Sequence, residues 1–377
     1  MQQLNVKKII MKNLIKYICF IILLFSNYKC TNDEATTSPN AIYFEGTTGT
    51  NIANISIDKG GTQIPISIRS AKPMDTEAKI TTRLDQEALE QYNKENGSSY
   101  KMLPVEYYTF SNNSFTIEKG MYISGTSPLS VKDISDLPEI DKYALAITII
   151  KTEGSTPVMN SSKTYFILID RVLYTTVAKL TGGSIKAKYQ TPYKSLRNWT
   201  MEWRAKVRDL NSNNQTLLYS YPTEVYTRFG DVVIQPDQLQ VKIAGSQFSP
   251  QQNFIANRWY HFALVYNGTS VIWYIDGAPV MNSTLSASFD FTEIGFGGDN
   301  ISQQQQVNEI RFWNIIRSPA DIRNNMYTID PSTPGLEGYW KCNDGAGNII
   351  KDYSKNGNNM TASPGVEWIQ DVRMPAE

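Results

Sequence analysis

The chain has 377 residues, 36 basic and 36 acidic, with 41% hydrophobic and 11% aromatic side chains, a length that accommodates two domains of ordinary size. Lys7, Lys8, Lys12, Lys16 and Lys29 precede Cys30 and no acid does, so the remainder carries 31 basic against 36 acidic residues, a net of −5. That balance offers no field to gather nucleic acid or anionic lipid, and a neutral ligand suits it better than a polyanion. A single histidine, with Cys342 as the one cysteine beyond residue 30, leaves neither an internal disulfide nor an ordinary zinc site.

The N-terminus reads as an address. From Met11, Lys12 and Lys16 precede the nine-residue apolar run Tyr17 to Phe25, which suits a signal peptide and is too short to span a bilayer. Residues 1–29 are expected to be a signal peptide, with Met11 as an alternative start, and residues 30–40 a polar tether. Cys30 followed by "TNDEATTSPN" resembles the lipidation site and acidic export signal of Bacteroidetes surface lipoproteins. The resemblance implies an outer-membrane, surface-exposed protein that meets the membrane through a lipid on Cys30 alone.

Residues 41–172 are expected to form a first domain. "AIYFEG", "NISID", "IPISIRS", "AKITTRL", "SFTIEKG", "PLSVKDI", "YALAITIIK" and "TYFILID" read as short strands, and Ile64, Ile66 and Ile68 alternate with polar or turn residues. "DQEALEQYNKENG" breaks the pattern: Ala88, Leu89 and Tyr92 share a helical face and Gly97 supplies a stop. The set predicts an immunoglobulin-like sandwich with a small helical insertion. Asp85, Tyr92, Asn93, Leu103, Pro104, Tyr107 and Gly120 resemble an N-terminal domain of many Bacteroidetes lipoproteins, found ahead of chitinase-like endoglycosidases or carbohydrate-binding modules. Tyr100, Tyr107 and Tyr108 are read as structural rather than as an aromatic platform.

Residues 173–377 are expected to form a second all-β domain, with "NWTMEWRAKV", "QTLLYSY", "DVVIQP", "LQVKIAG", "WYHFALVY", "SVIWYIDG" and "EIRFWNII" as strands. The pair flanking "NGT" reads as a hairpin, since Asn-Gly supplies the positive φ of a tight turn. Along its first strand Trp259, His261, Ala263 and Val265 face one way and Tyr260, Phe262, Leu264 and Tyr266 the other, both largely apolar. This hairpin, "NEIRFWNIIRSPADIRNNM" with a short proline-started helix, and "LEGYWKCNDGAGNIIKDYSKNGNNMTA" resemble the laminin-G and concanavalin-A-like lectin/glucanase jelly roll. In that pattern His261 is a packed strand residue.

Catalytic signatures are not found. Glucanases on this sandwich set carboxylates at even spacing on one strand, whereas Asp290 and Glu293 have odd spacing and are expected on opposite faces. "DISDLPEID" begins a chitinase-like motif with Asp133 and Asp136 and then places Pro138 and Ile140 where acids are needed. A non-catalytic sandwich of this kind implies a glycan-binding role, through exposed aromatics and amides. The candidates are Tyr221, Tyr226, Arg228 and Phe229 in the presumed loop "SYPTEVYTRFGD", and Gln304 and Gln305 within Gln303 to Gln306. The resemblance adds a calcium option at Asp299, Asn300 and Glu309. Expected partners are an oligo- or polysaccharide, with an outer-membrane glycan transporter and surface glycosidases; a protein-interaction module and a divergent glycoside hydrolase are the alternatives.

Overall fold

The computed structural model describes residues 39–47, 49–298 and 304–374. The leader with Cys30, and Asp299, Asn300 and Gln303, lie outside those residues.

Strands up to Arg171 build an N-terminal sandwich. Its largest sheet runs Ile52–Ile57, Thr164–Arg171, Tyr143–Glu153, Ala78–Leu84, Ser114–Ile117, with Lys101–Met102 alongside Tyr143–Glu153. Thr62–Ile66, Ser127–Val131 and Tyr108–Phe110 form a smaller sheet, and Ile42–Phe44 pairs Ile68–Ser70. The single run "IPISIRS" thus divides between two sheets, its isoleucines still facing one core. The helix Gln86–Asn96 begins where the Asp85 side chain accepts from the Ala88 amide and ends at Gly97 with φ 59°. Those two devices satisfy terminal amides and permit a left-handed exit. Leu89, Ala88 and Tyr92 pack onto Ala144, Ala146 and Phe166.

The C-terminal unit is two eight-stranded antiparallel sheets packed face to face. One, here called the histidine sheet, runs Ala278–Thr284, Ser270–Ile275, Trp259–Tyr266, Trp199–Val207, Gln304–Trp313, Leu173–Thr181, Glu367–Met374, with Leu336–Trp340 beside Gln304–Trp313. The other, the tyrosine sheet, runs Ser246–Phe248, Leu239–Ile243, Val225–Phe229, Gln215–Pro222, Phe289–Gly297, Ser184–Leu196, Met360–Ser363, Ile349–Ile350. Met201, Trp203, Phe262, Leu264, Trp273 and Phe312 of the first meet Leu217, Val225, Val241, Phe291 and Phe296 of the second in one core. The Asn267 side-chain oxygen accepts from the Thr269 and Ser270 amides and closes the hairpin turn, with Gly268 at φ 91°.

The histidine sheet is covered on its outer side too. Residues 314–335 cross it, nucleated by the helix Pro319–Asn324. Ser318 and Asp321 form a reciprocal capping box there, and Ile322 packs on Ala263, Val265 and Tyr274. Every residue of Trp259–Tyr266 is therefore buried.

Two expectations are corrected. "DVVIQP" is no strand: Val232 and Val233 are 94% and 75% exposed in a bend. "VYTRF", expected in a loop, is the strand Val225–Phe229.

Candidate functional site

The tyrosine sheet presents aromatic side chains outward. Tyr219 and Tyr226 are cross-strand partners, and Tyr221, two residues beyond Tyr219, shares its face, the Tyr219 and Tyr221 rings lying 5.7 Å apart. Gly295 lies directly under Tyr219: a Cβ at that position would fall 2.3 Å from the ring. The missing side chain lets the ring lie flat on the sheet. Tyr221 is 54% exposed. The Tyr226 hydroxyl shares a hydrogen bond of 2.7 Å with Thr216 Oγ1, which fixes its ring. Arg228 is held by Asp231 at 2.5 Å, by Gln240 Oε1 and by Asn214 Oδ1, its guanidinium 5.7 Å from the Tyr226 ring.

Of the four residues expected in this region, Tyr221, Tyr226 and Arg228 come together on this face and Phe229 does not. Phe229 points into the core against Phe254 and presents no surface to a ligand, because strand alternation sends it opposite to Arg228. Tyr219 was missed: it sits in "QTLLYSY", whose alternation carries no sign of which face is outside. Asp290 and Glu293 are also corrected. The register slips between Tyr221 and Pro222 where the facing strand advances from Glu293 to Phe291. Phe289, Phe291, Ile294 and Phe296 consequently face the core, which leaves both acids on the outer side. Asp290 is engaged by Lys194 at 3.1 Å and by the Ser195 amide at 2.8 Å, and the Lys194 and Ser195 contacts hold its carboxyl below the usual range.

The outer face of the histidine sheet is different in kind. Thr200, Glu202, Arg204 and Lys206 alternate outward on Trp199–Val207, opposite the core residues Met201, Trp203, Ala205 and Val207. His261 Nε2 lies 3.2 Å from Glu202 Oε2. Arg311 sits between Glu202, at 3.4 Å, and Glu309, and donates to the Asn325 carbonyl at 2.7 Å. Arg317 approaches Glu202 at 3.9 Å. Burial pushes the His261 pKa down despite its Glu202 hydrogen bond. Glu202 stays ionised: hydrogen bonding to His261 and the charge of Arg311 outweigh its desolvation. The pair is thus carboxylate and neutral imidazole, and His261 is a packed strand residue, as expected.

Glu309 is no rim ligand. A bulge at its position, with φ 55°, turns its carboxylate inward to Arg311 and to the Tyr339 hydroxyl at 2.8 Å. Among the described residues no group of three His, Cys, Asp or Glu could hold a metal ion; Asp299 and Asn300 of the calcium set lie outside those residues, and Glu309 is engaged by Arg311 and Tyr339. Gln305 is buried, its amide donating across the sandwich to the Thr216 carbonyl at 3.1 Å, whereas Gln304 lines a surface pocket of about 220 Å³ with Lys206, Asn257 and Gln306. In the first sandwich Tyr107 donates to Asp136 at 2.8 Å, and Tyr100 packs edge-on to Tyr92 with its hydroxyl pushed up to about 12 by burial.

Residues 181–323 match the family model of the concanavalin A-like lectin/glucanases superfamily, and residues 37–156 match that of a family of N-terminal domains. Among solved structures, a Bacteroides ovatus protein proposed to bind carbohydrate is 20% identical, with a TM-score of 0.57 over 89% of this chain and 100% of its own. A two-domain protein of unknown function from Bacteroides fragilis is 11% identical, with a TM-score of 0.30 over 71% of this chain and 94% of that one. Domain 4 of an extracellular arabinanase from Geobacillus stearothermophilus, in complex with arabinotriose, is 14% identical, with a TM-score of 0.33 over 41% of this chain and 80% of that one. No curated protein matches the sequence.

Proposed function

We propose, from the premise that the chain joins an N-terminal domain of that family to a concanavalin A-like lectin/glucanase domain, that it is a non-catalytic glycan-binding protein. The observation that carries this reading is the outward face of Tyr219, Tyr221 and Tyr226. A pyranose ring offers a flat apolar patch of C–H groups, and a held aromatic ring meets such a patch at small entropic cost. Tyr219 is seated over Gly295 and Tyr226 is tied to Thr216, so two of three rings are ordered before a ligand arrives. Beside them Lys242, the cross-strand partner of Tyr226, supplies a donor for hydroxyls.

The cellular setting belongs to the same proposal. Cys30 carries the lipid, and the anchored protein faces outward, where it holds polysaccharide for a glycan transporter and surface glycosidases. Metabolic labelling with a clickable fatty acid tests the anchor; label that survives Cys30→Ala removes it.

The direct test of function is a glycan array followed by titration calorimetry on the wild type and on Tyr221→Ala. Binding that Tyr221→Ala abolishes or weakens supports the reading. Absence of binding across host and plant glycans, or equal affinity of the variant, overturns it.

A further inference from the structure

The covered face of the histidine sheet holds a cation with no ion-pair partner among the described residues. Arg204, Arg311 and Arg317 share it with two carboxylates, Glu202 and Glu309. Glu202 meets Arg311 and Arg317, and Glu309 meets Arg311. Asp276, at the edge, is spent on Arg258 at 3.1 Å and on the His261 amide at 2.9 Å. Arg204 is 3% exposed and lies between the rings of Trp259 and Tyr327, 5.3 and 4.6 Å away. Among the described residues its only hydrogen-bond acceptor is the Met374 thioether, and its Nε has none. A thioether accepts weakly, and an ionised group so buried ordinarily has a carboxylate. Burial lowers its pKa only to about 10, so the charge persists at neutral pH.

Arg204 lines a cleft of about 890 Å³, within the size of small-ligand sites. Lys206, on the same face of the same strand, also lines it and has no ion pair among the described residues. Asn257 and Lys206 are shared with the smaller pocket beside Gln304, where Gln306 Oε1 lacks a partner. The concavity thus joins two uncompensated cations, the Trp259 and Tyr327 rings, and amides.

We propose that this cleft is a second binding site, on the opposite sheet from the tyrosine face, for the carboxylate or sulfate group of an acidic sugar. Arg204 supplies a planar fork that matches an oxyanion in two hydrogen bonds, and Lys206 adds a point charge. The aromatic walls take the ring and the amides its hydroxyls. The ligand class rests on the glycan-binding reading above, while the demand for an anion rests on Arg204 alone. Beyond Cys30 the chain carries 31 basic against 36 acidic residues, so the attraction is local to the cleft.

The experiment titrates the full chain, in mild detergent, with matched pairs: tetragalacturonide and its methyl ester, sialyllactose and lactose, and galactose 6-sulfate and galactose. At least one charged member should bind about tenfold or more tighter than its neutral match, with affinity falling as salt rises. The pair that responds tells carboxylate from sulfate. Arg204→Met should erase the preference, and Lys206→Met, on a less buried side chain, should weaken it in a protein that unfolds like the wild type. Tyr221→Ala should leave it in place. Equal binding of charged and neutral partners, or a preference that survives in both cation variants, overturns the cleft and leaves the tyrosine face standing. Failure of every saccharide to bind overturns both.

Discussion

The two outer faces of the C-terminal sandwich solve opposite problems. The tyrosine sheet leaves its outer face open, and its polar groups are met one by one: Arg228 by Asp231, Gln240 and Asn214, Asp290 by Lys194. The histidine sheet covers its outer face with residues 314–335 and so takes charges out of water, where they must be matched among themselves. The open face can lose a side chain with little structural penalty. Around Glu202 the covered face cannot, because Arg311, Arg317 and His261 all lean on that one carboxylate. Two sheets of one sandwich thus yield a surface suited to touching a ligand and another whose charges are first of all a folding constraint.

The largest expected effect breaks that contrast at its centre. Glu202→Ala leaves Arg311 and Arg317 without their shared carboxylate in a site closed to solvent, and stripping one partner from a buried ion pair costs about 3–5 kcal/mol. Urea unfolding of the wild type and variant measures it. Tyr221→Ala, on the open face, should change stability by no more than about 0.5 kcal/mol in the same experiment. If the two variants unfolded alike, the division of labour between the faces would be wrong.

On the ligand side the order reverses. Tyr221→Ala should weaken glycan binding by about tenfold, or about 1.4 kcal/mol, in calorimetry. Gly295→Ala reaches the same face indirectly. Its new methyl group meets the Tyr219 ring at 2.3 Å, so the ring must lift, and binding should fall by less than in Tyr221→Ala, about threefold or 0.7 kcal/mol. Restoring room with Tyr219→Phe in the Gly295→Ala background should not recover it, since the clash involves the ring carbons as well as the hydroxyl.

What could be read in the sequence follows the range of the interactions involved. The 259–275 hairpin was legible because alternation, the Asn-Gly turn and the adjacent strand are local. So was the Gly97 stop, and so was the proline-started helix after Ser318. The loop assigned to "SYPTEVYTRFGD" failed because Thr223 and Glu224 do make a turn, yet Pro222 still belongs to the strand before it and the five residues after them return as a strand. "DVVIQP" failed the other way: β-branched residues mark a pleated, half-buried surface, and Val232 and Val233 have none to lie on. The site on the covered face was hidden for a different reason. In "TMEWRAKV" the outward residues Thr200, Glu202, Arg204 and Lys206 look like a solvated face, and what buries them arrives more than a hundred residues later. One clue was present: His261, Ala263 and Val265, on the neighbouring strand, make an apolar outer face that a solvated neighbour would contradict.

The smallest effect tests how the covered face is charged. The chain has one histidine, so proton uptake by an imidazole can be traced to His261. Burial holds its folded pKa below the ordinary 6.5, which means the unfolded chain binds the proton more readily than the folded one. Stability tied to this group is therefore fully present above pH 6.5 and declines as pH falls through the folded value. Glu202, also lowered, from 4.5, loses its contribution only in a more acidic window. The melting temperature should thus start to drop below pH 6.5, before carboxylates titrate. His261→Gln, whose amide can still donate to Glu202, should flatten that first decline and leave the acid limb below pH 4.5 unchanged. A first decline of the same slope in His261→Gln would place the titrating group elsewhere and leave Glu202 without its neutral partner.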